Sequence, residues 1–168
     1  MGGLIALDLA IHYPELAKAL IIGAATYRCS EEYYKFWKML GFEQPGVVDL
    51  IRFEQVYPDF VKLVQQRHTT VYGIDYWKTL INQLSIPILK GFNYTKEELK
   101  KIIAPVLLLV GDRDLLYSVD VVLEMYHLIP NAELAVIPYA DHMFIPVRPH
   151  MFTNPCLDFL LRHQGNKE

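Results

Sequence analysis

Two ionisable side chains stand where a parallel α/β sheet places its chemistry. Asp114 closes the turn Gly111-Asp112-Arg113-Asp114 behind the apolar run Val106–Val110. His142 closes Tyr139-Ala140-Asp141-His142 behind the run Leu134–Ile137. Loops at the ends of such strands open onto the crevice where ligands bind. If the two strands are neighbours, the carboxylate and the imidazole meet although they lie 28 positions apart. A carboxylate beside an imidazole fixes its tautomer and stabilises the imidazolium formed when the ring takes a proton, so the pair can work as a general base. Neither residue is specific alone, because Asp is a common turn former.

The elements that would hold this pair fall into three segments, 1–23, 24–94 and 95–168. In the first, Leu4, Leu7, Ile11 and Ile5, Leu9 recur at helical spacing with Ala6 and Ala10 between them. His12-Tyr13-Pro14 ends that helix, because the residue before proline avoids the α region. Ala19–Gly23 then reads as a short strand covered on both faces.

The second segment is rich in Tyr, Phe and Trp and shows helical patterns with no convincing strand. Ser30–Leu40 is expected as a helix capped by Ser30 and ended by Gly41; 59–67 and 75–84 are further helical stretches. The segment is expected to be a helical cap inserted into the sheet domain. The third segment restores the α/β rhythm. Thr95-Lys96-Glu97-Glu98 is a capping box, Pro105–Val110 a strand, Ser118 the cap of a helix reaching Ile129, and Glu133–Pro138 another strand. A last helix is expected from Asn154, with Pro155 at its first position.

Composition narrows the function. The chain has 168 residues, enough for one domain with an inserted subdomain. A net charge of −3 gives no electrostatic footprint for nucleic acid. No apolar run approaches the roughly 20 residues that span a bilayer. Cys29 and Cys156, far apart and without metal spacing, imply a reducing compartment; with no basic leader before Gly2–Ile11, a cytoplasmic location is expected. No metal or organic cofactor is expected.

Pro105-Val106-Leu107-Leu108-Leu109-Val110-Gly111-Asp112-Arg113-Asp114 resembles the acid-bearing strand and turn of the α/β-hydrolase fold. Ala140-Asp141-His142 resembles that fold's histidine turn, and Met1-Gly2-Gly3 resembles the residues directly after the nucleophile in Gly-x-Ser-Met-Gly-Gly. His68–Lys78 is similar to a cap stretch of esterase-like members. The resemblance implies a partial α/β-hydrolase fold: parallel strands with flanking helices and an inserted helical cap. It implies Asp114 as the acid of a catalytic triad, with Asp112 the runner-up, and His142 as the general base. The backbone N–H of Met1 would be one oxyanion-hole donor. His68, Tyr72 and Trp77 are candidates for a substrate pocket, with ordinary cap packing as the alternative.

The sequence departs from the family pattern twice. The residue before the histidine is Asp141, where the family usually has Gly. The nucleophilic serine would sit one position before Met1, so the chain is expected to be the C-terminal portion of a serine hydrolase and inactive alone. Ser30 and Ser118 read as helix caps and Ser85 lies in the cap segment, which makes them poor substitutes. The parent reaction would be hydrolysis of an ester or related acyl bond in a small-molecule substrate; carbon–carbon bond hydrolases and lactonases share the layout. A tryptophan usually comes after the aspartate nucleophile of dehalogenases and epoxide hydrolases, so Met1 favours serine. The alternative is a non-catalytic remnant that binds a small apolar ligand or a partner chain. The Ala19–Ile22 strand, flanked only by Lys18, is expected to be an unprotected edge that drives self-association or needs an N-terminal half.

Overall fold

Six consecutive buried residues, Val106–Gly111, form the central strand of a three-stranded parallel sheet. The computed structural model describes residues 2–142 and 148–164. In chain order the described elements are α1 (Gly2–His12), β1 (Leu20–Gly23), α2 (Glu31–Met39), β2 (Phe42–Gln44), β3 (Val47–Val48), α3 (Leu50–Val56), α4 (Pro58–Tyr72), α5 (Tyr76–Lys90), α6 (Lys96–Leu99), β4 (Val106–Gly111), α7 (Val119–Leu128), β5 (Ala132–Ile137) and α8 (Pro149–Arg162). They form two compact units: one contains the residues up to Arg28 and from Asn93 onward, the other is Cys29–Phe92.

The first unit holds the sheet, in the order β1-β4-β5. Leu20 pairs with Val106 on one side of β4, and Val106 pairs with Ala132 on the other. Alternate residues of β4 point to opposite faces. Val106, Leu108 and Val110 join Leu7, Ala10, Val122, Met125 and Ile129 in one apolar cluster, while Leu107 and Leu109 join Cys156 and Phe159 in another. A strand covered on both faces has no place for polar residues, which is why β4 reads as an unbroken apolar run. Each fully buried Leu or Val contributes roughly 1.5–3 kcal/mol. Gly3 lets α1 lie close to the chain after β1, since a Cβ there would come within 2.6 Å of the Ala25 Cβ.

Local capping agrees with the sequence. Thr95 and Glu98 form a reciprocal capping box at α6, and the Ser118 hydroxyl accepts from Val121 N at the start of α7. The last helix differs from expectation. It starts at Pro149, and Pro155 lies inside it. Either proline satisfies the rule for a first helical position, and the earlier one nucleates the helix. Pro155 then leaves an unmade i→i−4 bond, which α8 carries in its interior.

The second unit is helical with an aromatic core. Trp37 packs on Phe42 at 4.7 Å between ring centroids, and Phe42 on Phe53 at 5.7 Å. It also contains a small hairpin where no strand was expected: β2 pairs antiparallel with β3. Strands of three and two residues are too short to show alternation. What defines them is Gly46, at φ 88°, in the turn, together with α5. Ser85 Oγ accepts from Gly46 N at 2.8 Å, and Asn82 Oδ1 from Val48 N at 2.9 Å. Helices α4 and α5 also outrun their expected ends, each stopping only at a glycine with positive φ, Gly73 and Gly91. Pro87 sits within α5 without ending it.

Candidate active site

The turn after β4 is closed by its own backbone, with Asp114 N donating to the Gly111 carbonyl at 3.2 Å. This turn brings the Asp114 side chain inward until it is fully buried. One carboxylate oxygen, Oδ1, accepts the N–H groups of Leu116 and Tyr117, each at 2.8 Å. These bonds explain why Asp suits the position: its short side chain folds back on the backbone two and three residues on. They occupy Oδ1 and leave Oδ2 facing the neighbouring turn.

That neighbour comes after β5. His142 Nδ1 lies 2.9 Å from Asp114 Oδ2. With the carboxylate ionised, Nδ1–H is the donor, and Nε2 becomes the proton-accepting atom of the ring. The imidazole is 37% exposed, whereas the Asp114 side chain is 0% exposed. A buried carboxylate thus faces a solvent-accessible imidazole. The Tyr117 ring lies edge-on to the imidazole, at 5.3 Å between centroids.

The two turns hold each other. Arg113 N donates to the Ala140 carbonyl at 2.9 Å, Ala140 N donates to Asp112 Oδ1 at 3.0 Å, and Asp112 N donates to the Ile137 carbonyl at 3.1 Å. The N–H groups of Tyr139 and then Ala140 hold the Asp112 carboxyl below the usual carboxylate range. Tyr139 has φ 53°, a left-handed conformation that a bulky residue rarely adopts. Its ring carries the Arg113 guanidinium at 3.9 Å and that of Arg148 at 5.4 Å.

The remaining candidates lie elsewhere in the chain. Met1 is outside the described residues. In the helical unit, Trp77 is buried and His68 is half-buried, while Tyr72 is exposed and stacks on Tyr76 at 4.4 Å. Ser30 caps α2 and Ser118 caps α7. Ser85 is fully buried, its hydroxyl donating to the Asn82 carbonyl at 2.6 Å. Leu115, beside the acid turn, is 89% exposed. The contacts that Asp112 and Tyr117 make with the histidine turn were not anticipated; the only sequence signal was a second Asp two positions before Asp114. Among the described residues, no group of three or more His, Cys, Asp or Glu side chains is placed to hold a metal ion, and no helix is long and apolar enough to cross a membrane.

Comparison with known proteins places the chain in a family. No curated protein matches the chain. Solved structures match its fold. An α/β-hydrolase enzyme, MGS-M2, from a Medee basin deep-sea metagenome library superposes with a TM-score of 0.67 at 19% identity, over 95% of this chain and 62% of that one. The serine hydrolase CarC, involved in carbazole degradation, gives 0.63 at 22% identity over 96% and 60%. A mutant of the meta-cleavage product hydrolase CumD from Pseudomonas fluorescens gives 0.66 at 16% identity over 95% and 61%. The chain therefore spans about three fifths of the length of these structures. A family model described as serine aminopeptidase, S33, matches residues 1–146. The chain belongs to the serine aminopeptidase S33 family and has the α/β-hydrolase fold.

Proposed function

We propose that Asp114 and His142 are the acid and base of a serine-hydrolase triad acting on an ester or related acyl bond. The observation that carries this proposal is the 2.9 Å contact between a fully buried carboxylate and a solvent-accessible imidazole at adjacent strand ends. In the proposed reaction, a serine hydroxyl attacks the acyl carbon and passes its proton to His142 Nε2. Asp114 holds Nδ1–H and stabilises the imidazolium. His142 then returns the proton to the leaving group, and water repeats the sequence to release the acid.

The nucleophile of this proposal lies outside residues 1–168. Ser30 and Ser118 are engaged at helix starts and Ser85 is buried among α5 and the hairpin. A serine immediately preceding Met1-Gly2-Gly3, as in Gly-x-Ser-Met-Gly-Gly, would stand at the start of α1. Residues 1–168 alone are then inactive, and the helical unit Cys29–Phe92 serves as the cap. A fluorophosphonate that labels activated serines tests this. Residues 1–168 should remain unlabelled, and the same chain extended N-terminally through a Gly-x-Ser segment should be labelled at that serine, dependent on His142. Label on Ser30, Ser85 or Ser118 would overturn the assignment. No label on the extended chain would favour a non-catalytic binding protein.

A further inference from the structure

Asp112 is too exposed to be a core residue, yet its carboxylate makes one of the bonds that join the two functional turns. Ala140 is the hub of that junction. Its N–H goes to Asp112 Oδ1, its carbonyl accepts from Arg113 N, and Gly111 passes so close that a Cβ there would overlap the Ala140 carbonyl oxygen. Ala140 is two residues from His142, and residues 138–142 belong to no helix or strand. The orientation of the imidazole therefore depends on how firmly this turn is held. The turn also stores an unfavourable conformation at Tyr139, which needs surrounding contacts to persist. The Asp112 carboxylate and the Arg113 guanidinium, successive residues of the acid turn, supply these contacts from opposite ends, one to the backbone and one to the ring.

We propose that Asp112 is a positioning residue: by gripping the backbone of the Tyr139–Ala140 turn, it fixes the His142 imidazole on Asp114. The grip itself is a property of residues 1–168, and its meaning for catalysis rests on the proposed function above. The acid turn thus has two carboxylates with separate tasks. Asp114 bonds the ring, and Asp112 bonds the strand of chain that delivers the ring.

The experiment uses nuclear magnetic resonance on residues 1–168, reading the His142 Nδ1–H proton and its exchange with solvent. His12 and His163 also sit against carboxylates, so the resonance is assigned by its loss in His142→Gln. Asp112→Ala should speed exchange of this proton roughly tenfold to a hundredfold, the range expected for losing a charge-assisted hydrogen bond. Asp112→Asn, whose amide oxygen still accepts from Ala140 N, should restore slow exchange. Glu124→Ala, which removes the ion pairs to Arg28 and Lys96, controls for a general loss of stability and should leave the proton unchanged. A second measurement needs no variant: in the unmodified chain, the Ala140 amide and His142 Nδ1–H should open together. Unchanged exchange in Asp112→Ala, or an Ala140 amide that opens freely while the imidazole stays protected, would overturn the proposal. Neither outcome depends on whether the extended protein hydrolyses esters.

Discussion

Gly111 and Ala140 approach so closely that any side chain on Gly111 would overlap the Ala140 carbonyl oxygen. The contact joins the end of β4 to the turn that carries His142. Gly111→Ala must push these segments apart, because the atom it meets is backbone and cannot rotate away. We predict a loss of about 1–3 kcal/mol, the usual cost of overpacking, measured by chemical denaturation. The His142 resonance should shift in the same variant.

Asp114 is predicted to matter for stability as well as for the imidazole. Its carboxylate accepts from two backbone N–H groups and from His142. Asp114→Ala leaves those donors without their acceptor and should cost roughly 2–3 kcal/mol. Asp114→Asn keeps an acceptor for Leu116 and Tyr117 and should cost less, while its amide group favours the opposite imidazole tautomer. Urea titration separates the two variants, and 15N chemical shifts of His142 report the tautomer.

How much of this was legible in the sequence depends on element length and on what fixes each end. β4 was legible because a strand buried on both faces must be apolar at every position, and Val106–Val110 has no competing pattern. The positions of Asp114 and His142 at strand ends came from that run and from Leu134–Ile137. β2 and β3 were not legible, because their pairing rests on Asn82 and Ser85, some 34 and 39 positions away. The start of α8 was misplaced because Pro155 fits a first helical position as well as Pro149, where the helix begins. The Asp112–Ala140 bond was hidden for a related reason: a side chain that accepts from a distant backbone N–H leaves no periodicity.

The C-terminal helix is tied to the sheet by charge. Arg162 donates to both oxygens of Glu133, each at 2.6 Å, and His163 lies 3.0 Å from the same carboxylate. Arg162 first, and His163 with it, lower the Glu133 pKa from 4.5 to about 2. A depressed folded-state pKa stabilises the fold above pH 4.5, and that contribution disappears as the pH falls from 4.5 through about 2. Glu133→Gln should therefore lower stability at neutral pH and reduce the acid dependence of the melting temperature between these limits. Equal acid dependence in both chains would contradict the assignment.

Among the described residues, no strand pairs with the outer edge of β1. On α1 and just after it, Ile5 and Leu16 are 58% and 64% exposed. An unpaired apolar edge beside exposed apolar side chains favours association. Residues 1–168 are predicted to self-associate at micromolar concentration, and sedimentation across a dilution series measures this. A single species at 19.5 kDa throughout would exclude it.

The most direct measurement is kcat/KM for an activated ester with the chain extended N-terminally through a Gly-x-Ser segment. The proposed pair predicts turnover that falls by about 10⁴-fold in Asp114→Asn, where the imidazole takes the wrong tautomer, and at least as far in His142→Ala. If either variant keeps turnover within a few-fold of the unsubstituted protein while its fold is intact, Asp114 and His142 are not the acid and base of a triad.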